Sequence, residues 1–160
     1  MTQLFNYEKF PILETERLIL RAITPDDAQA IISIFGDPET AKYLIDEEEP
    51  IKTVDEAMEI IDWCAEIFRD HRGLRWGITL KGDNQVIGTC GYNYWLARHR
   101  RGEIGYDLAR PHWRQGIMTE AVWAILQFGF EHMDLYRVEA DVAVGNEASA
   151  SLLKKLGFVQ

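Results

Sequence analysis

The chain has 160 residues, 47% hydrophobic and 27% charged, with 17 Lys and Arg against 26 Asp and Glu for a net charge of −9. A chain of that length buries roughly 70% of its extended surface, so a single domain needs no disulfide or metal staple. The composition excludes a disordered tail, and the acidic balance excludes broad binding to a nucleic-acid backbone, which calls for a basic face.

Met1 to Phe10 lacks the basic stretch and apolar core of a signal peptide. Residues 1–14 therefore read as an N-terminal arm that passes Pro11, ahead of one domain over 15–160. Leu18 to Ile23 is a short β-type run. Thr24-Pro25-Asp26-Asp27 then supplies an N-cap, a proline at the first helical position and two first-turn acids. Ala28, Ile31, Ile32 and Phe35 continue at helical spacing until Gly36-Asp37-Pro38 stops the helix. Thr53 and Glu56 are the two halves of a capping box opening a second helix, which frays near Gly73. Its apolar face is Val54, Ala57, Ile60, Ile61, Cys64 and Phe68.

Trp76 to Leu80 and Gln85 to Tyr94 flank the turn formers Lys81-Gly82-Asp83-Asn84 and predict a hairpin. A basic loop, Arg98 to Arg101, leads to a strand over Glu103 to Leu108. There Ile104, Tyr106 and Leu108 share one face, and Glu103, Gly105 and Asp107 share the other. After the loop His112 to Gly116, a helix runs to about His132, with only Glu120, Gln127 and Glu131 strongly polar, as for a helix laid on a sheet. Arg137 to Val144 is the next strand, expected to pair parallel to the Glu103 strand through a right-handed crossover. Asn146 opens a last helix that ends at Gly157-Phe158. The order β-α-α-β-β-β-α-β-α predicts an α+β fold: a single mixed, mostly antiparallel sheet flanked by helices. Cys64 and Cys90 have neither framework nor ligand spacing and read as buried apolar residues. The longest apolar run, Ala121 to Leu126, is too short to cross a bilayer, so no membrane association and a cytoplasmic location are expected.

The segment His112 to Glu120 lies between a strand and a buried helix, so its backbone N–H groups sit at a helix N-terminus. Such a site takes phosphate through unpaired donors and the dipole, with Gly116 allowing close approach and Arg114 adding charge. A tight connection whose glycine merely relieves the turn is the plainer alternative. The loop is neither a Walker loop nor a dinucleotide fingerprint, because it lacks Gly-Lys-Ser/Thr and the three-glycine spacing.

Trp113-Arg114-Gln115-Gly116-Ile117-Met118-Thr119-Glu120-Ala121 resembles the acyl-CoA pyrophosphate loop of the GNAT superfamily of N-acetyltransferases. Thr15 to Arg21, Asp26-Asp27-Ala28, Asp37-Pro38-Glu39, Glu103-Ile104-Gly105-Tyr106, Gly145 to Ser149 and Lys155 to Phe158 are similar to its ribosomal-protein-alanine acetyltransferase-like branch. The resemblance runs from about Thr15 to Phe158 in the right order and spacing. Two features depart from it: Trp113 and Met118 stand where the superfamily usually has Arg or Gln and a small residue. The family also continues past its Gly-Phe with further strands, so the fold is expected to lack its last strands at Gln160, through truncation or completion by another chain.

The resemblance implies the GNAT acyl-CoA N-acyltransferase fold and an acetyl-CoA-dependent N-acetyltransferase with acetyl-CoA as co-substrate and no metal. It assigns cofactor contacts to Leu108, Arg114, Gln115, Gly116, Ile117, Met118, Thr119 and Asn146. Glu103 becomes the base that takes the acceptor proton, often through water, a task suited to a carboxylate with a raised pKa. A strand-start pairing of Glu103 with Arg98, Arg100 or Arg101 is the alternative. Ser149, on the same helical face as Leu152, Leu153 and Leu156, becomes the acid near the CoA sulfur, since many relatives carry a Tyr where Leu153 stands here. Helix capping explains Asn146 and Ser149 equally. Tyr92, Tyr94 and Trp95 either line an acceptor pocket or simply pack. The acceptor is expected to be a primary amine at a protein N-terminus. The alternatives are a small-molecule amine (polyamine, amino acid or antibiotic) and a non-catalytic acyl-CoA-binding module. No direct nucleic-acid partner is expected, and a homodimer stays open.

Overall fold

The computed structural model describes residues 4–44 and 49–160; the first three residues of the expected arm lie outside them. Six strands form one sheet in sequence order: β1 (Leu13–Glu14), β2 (Leu18–Ala22), β3 (Leu74–Leu80), β4 (Val86–Leu96), β5 (Arg101–Leu108) and β6 (Arg137–Ala140). Every neighbouring pair is antiparallel except β5 and β6, whose parallel pairing confirms the crossover expected from the intervening helix. Five α-helices accompany the sheet among the described residues: α1 (Ala28–Phe35), α2 (Pro38–Ala41), α3 (Val54–Arg69), α4 (Ile117–His132) and α5 (Glu147–Lys155).

The alternation of each strand sorts its side chains into two cores. Leu18, Leu20, Trp76, Ile78, Cys90 and Ile104 face α4, which answers with Ile117, Ala121, Val122 and Ile125. On the other face α1 and α3 cover Ile23 and Val86 with Ile31, Ile34, Ala57 and Ile61. The sheet is thus a wall between two hydrophobic layers, and only its β5–β6 end is left for other uses.

Local chemistry accounts for the helix ends. At α3 the Thr53 hydroxyl accepts from the Glu56 N–H at 3.2 Å, and the Glu56 carboxylate accepts from the Thr53 N–H at 2.9 Å. Val54, expected on the apolar face, is exposed: it points along the same side as Ile61 but stands at the first position of the helix, and burial begins with Ala57. Residues 4–14 lie along the body of the fold. The Phe5 N–H donates to the His132 carbonyl at 2.7 Å, Tyr7 is buried against Phe68 and Trp95, and Leu13–Glu14 pairs with β2. Cys64 and Cys90 are both buried and free, as expected. Among the described residues no helix is long and apolar enough to cross a membrane.

Candidate active site

β5 and β6 pair in parallel only from Arg101↔Arg137 to Ile104↔Ala140. The strand expected to reach Val144 therefore ends four residues early, because the chain after Ala140 turns away while β5 continues to Leu108. The Ala109 N–H bonds the Ile87 carbonyl on the β4 side, and the Arg100 carbonyl accepts from Tyr136 and Arg137 on the β6 side. Backbone groups alternate along a strand, so the even-numbered Tyr106 and Leu108 direct theirs into the gap. The Leu108 carbonyl there accepts from the Trp113 indole at 2.7 Å. A cavity of about 1480 Å³ occupies this opening. It is lined by Glu103 and Asp107 from one face of β5 and by Ile104, Tyr106 and Leu108 from the other, which is possible only across the strand's open edge.

At one end of the cavity lies the loop before α4. Arg114 and Gly116 both adopt left-handed backbone, at φ of 61° and 76°. For Gly116 this is ordinary; for Arg114 it marks a turn that its surroundings impose. The N–H groups of residues 114–119 have no acceptor among the described residues, and those of the cavity-lining Arg114 and residues 116–119 stand at the positive end of a sixteen-residue helix. Ile117 and Met118 bury their side chains in the core below, leaving backbone for the cavity. Gln115 is the exception to the expected set. Its side chain folds back to donate to the Pro111 carbonyl at 3.0 Å and lines no part of the cavity.

At the other end a polar network grows out of the sheet. Arg75 on β3 is 7% exposed, and its guanidinium donates to Thr89 at 3.0 Å, Asn93 at 2.7 Å and Asp107 at 2.9 Å. Asn93 sits where the β4–β5 register shifts, and its amide donates onward to the Glu103 carboxylate at 3.3 Å. Glu103 makes no ion pair among the described residues: Arg100 pairs with Asp134 and Arg101 with Glu139. The alternative of a strand-start salt bridge is thereby removed. Arg75, Thr89, Asn93 and Asp107 were missed in the sequence because they are spread over three strands. The one available signal was an arginine directly ahead of the run Trp76 to Leu80. The charged lining of the cavity is predominantly acidic, with Glu39, Glu49, Glu56, Glu59 and Asp141 besides Glu103 and Asp107, against Arg75, Arg114 and Lys155.

Ser149 and Tyr106 meet across the gap, hydroxyl to hydroxyl at 2.5 Å. Burial pushes the Tyr106 phenol up; the Ser149 hydrogen bond opposes that and the Asp107 charge adds to it. Asn146 caps α5, its side-chain oxygen accepting from the Ser149 N–H at 3.2 Å, while both residues also line the cavity. Capping and an open site coincide here. Tyr92, Tyr94 and Trp95 do not line the cavity. Tyr92 is fully buried and donates to the Ile125 carbonyl, Tyr94 donates to Glu139, and Trp95 stacks on Tyr7, so the packing alternative holds for all three.

Comparison with known proteins converges on one family. Residues 17–159 match the acetyltransferase (GNAT) domain. The chain is 41% identical over 149 residues to the uncharacterized N-acetyltransferase YoaA of Bacillus subtilis, covering 93% of this chain and 83% of that protein. It is 38% identical over 146 residues to the uncharacterized N-acetyltransferase p20 of Bacillus licheniformis, covering 91% and 81%. Among solved structures, the ribosomal L7/L12 alpha-N-protein acetyltransferase RimL, in complex with coenzyme A, superposes with a TM-score of 0.81 at 18% identity, covering 93% of this chain and 84% of that one. With the opened strand pair and the donor-rich loop already present in its fold, the chain belongs to the GNAT family of N-acetyltransferases.

Proposed function

We propose that the protein moves the acetyl group of acetyl-CoA to a primary amine, with the N-terminal amine of a protein as acceptor, by direct transfer in a ternary complex in the cytoplasm. The observation that carries this reading is the single cavity crossing the open edge of β5, which brings the free N–H groups of Arg114 and residues 116–119 and the Glu103 carboxylate into one volume. The RimL likeness in fold supports a protein N-terminus as the acceptor. The predominance of acids in the charged lining of the cavity favours a cationic amine over a neutral nucleophile.

Acetyl-CoA supplies the activated thioester. The N–H groups of residues 114–119 hold its pyrophosphate, Asn146 contacts the pantetheine arm, and the edge of β5 at Leu108 pairs with that arm as an added strand would. Glu103, steadied by Asn93, takes the proton from the acceptor ammonium directly or through water. The freed amine forms the C–N bond as the C–S bond breaks, and a backbone N–H near Leu108 stabilises the developing oxyanion. Ser149 passes its proton to the departing sulfur and is reprotonated by the second proton that the nitrogen sheds as the amide forms.

The test is a screen of amines and peptide N-termini with release of free CoA as readout, run on wild type and Glu103→Gln. Wild type should turn over, and Glu103→Gln should lose about 10²–10⁴-fold in turnover while its CoA affinity holds. Coenzyme A binding without turnover on any amine would instead identify a binding module.

A further inference from the structure

We propose that Arg17, at the approach to β2, is a positioning residue for cofactor binding that orients the Gly116 N–H toward the pyrophosphate without touching the ligand. The inference rests on the assignment of residues 114–119 to the pyrophosphate.

Arg17 comes from the opposite end of the sequence, 98 residues from its partner in the loop. Its Nη1 donates to the Gln115 carbonyl at 2.9 Å, and its Nε donates to the Glu120 carboxylate at 3.2 Å. Arg17 lines no part of the cavity, whereas Gly116 does. A trans peptide is planar, with its C=O and N–H pointing opposite ways. Drawing the Gln115 carbonyl outward to Arg17 therefore turns the Gly116 N–H inward.

That orientation needs holding. Gly116 tolerates either sign of φ, and the loop already alternates through left-handed residues at 114 and 116. A flip of the Gln115–Gly116 peptide is thus sterically open, and it would aim a carbonyl oxygen at an anion. The guanidinium fork spans the carbonyl and the Glu120 carboxylate together, which a lysine ammonium on a flexible stem cannot reproduce. The same contact neutralises Glu120, a first-turn acid that would otherwise repel a diphosphate at this helix end.

The experiment compares wild type, Arg17→Ala, Arg17→Lys and Glu120→Gln. It measures the Kd for coenzyme A by calorimetry and steady-state kinetics with acetyl-CoA and with S-acetylpantetheine, which has no pyrophosphate. Arg17→Ala should weaken coenzyme A by about 10- to 100-fold, the scale of one hydrogen bond to a charged group. It should raise KM for acetyl-CoA with kcat held, and leave kcat/KM for S-acetylpantetheine unchanged. Arg17→Lys should recover only part of the affinity, and Glu120→Gln, which still accepts from Arg17, should stay within about twofold of wild type. Equal losses on both acyl donors would reveal a merely structural arginine and overturn the proposal. So would an Arg17→Ala protein that binds coenzyme A as wild type does, or a Glu120→Gln loss matching that of Arg17→Ala. If wild type itself fails to bind coenzyme A, the assignment of the loop falls, and this inference with it.

Discussion

Gly129→Ala puts the docking of α4 to a direct test. A methyl group there would lie 2.0 Å from the Tyr92 hydroxyl oxygen, 2.8 Å from its ring carbon Cζ and 2.9 Å from Leu135 Cδ1. Tyr92 has little room to retreat, because the side chain is 0% exposed and its hydroxyl is held by the Ile125 carbonyl. Overpacking of this kind costs about 1–3 kcal/mol. Losing the 2.7 Å bond from Tyr92 to the Ile125 carbonyl adds about 1 kcal/mol. The better helix propensity of alanine offsets about 1 kcal/mol. The expected net loss is about 2 kcal/mol, or roughly 4–8 °C in Tm for a chain of this size. Urea and thermal unfolding of Gly129→Ala, Tyr92→Phe and the double variant form the assay. Because Tyr92→Phe removes the oxygen that clashes, the double variant should be less destabilised than the two singles together, with a coupling of about 1 kcal/mol. Strict additivity, or a Gly129→Ala protein more stable than wild type, would refute this account of how α4 seats on β4. The effect should reach the site as well, since the first N–H groups of α4 belong to the candidate pyrophosphate loop.

Three further outcomes follow from particular groups. For Asp27, burial alone would raise the carboxyl pKa, but the two bonds from Arg21 and one from the Thr24 N–H hold it below the ordinary range. Its stabilisation is complete above the unfolded carboxylate pKa and is lost as pH falls through the lower folded value. Asp27→Asn should therefore be less stable at neutral pH and show a shallower decline between pH 5 and 3 in urea titrations, whereas parallel curves would refute the linkage. Burial pushes the Cys64 thiol up to about 11 and the Cys90 thiol up to about 12. Native protein at pH 8 should react with a thiol reagent only as fast as it unfolds, and rapid labelling of either cysteine would contradict the buried environment. Ser149→Ala should lower kcat by less than Glu103→Gln does, because a neutral donor is removed and the Tyr106 hydroxyl remains beside the vacated place. Melting curves run alongside separate lost chemistry from lost folding, and undiminished kcat would end the role of Ser149 as an acid.

What was legible in the amino-acid order is what neighbours along the chain decide. Thr53 and Glu56 close a capping box within one turn, Asn146 caps within three residues, and Lys81 to Asn84 connects a hairpin, all as read. The alternation from Glu103 to Leu108 placed Glu103 and Asp107 opposite Tyr106 correctly, since a strand's period is set by its own backbone. The turn at Gly116 ahead of α4 was legible too, because a glycine between a strand and a helix states its geometry locally. The end of β6 was not. Residues 141–144 have the composition of a strand, yet pairing stops at Ala140 because only the divergence of two strands defines the gap. The same holds for the contacts that give the site its character: Arg17 with Gln115, Arg75 with Asn93 and Asp107, and Tyr106 with Ser149. Each joins residues brought together only by strand pairing or by docking against the sheet. Propensity and periodicity are short-range properties of the backbone, whereas a hydrogen bond between distant side chains exists only once the sheet has set the distance between their Cα atoms.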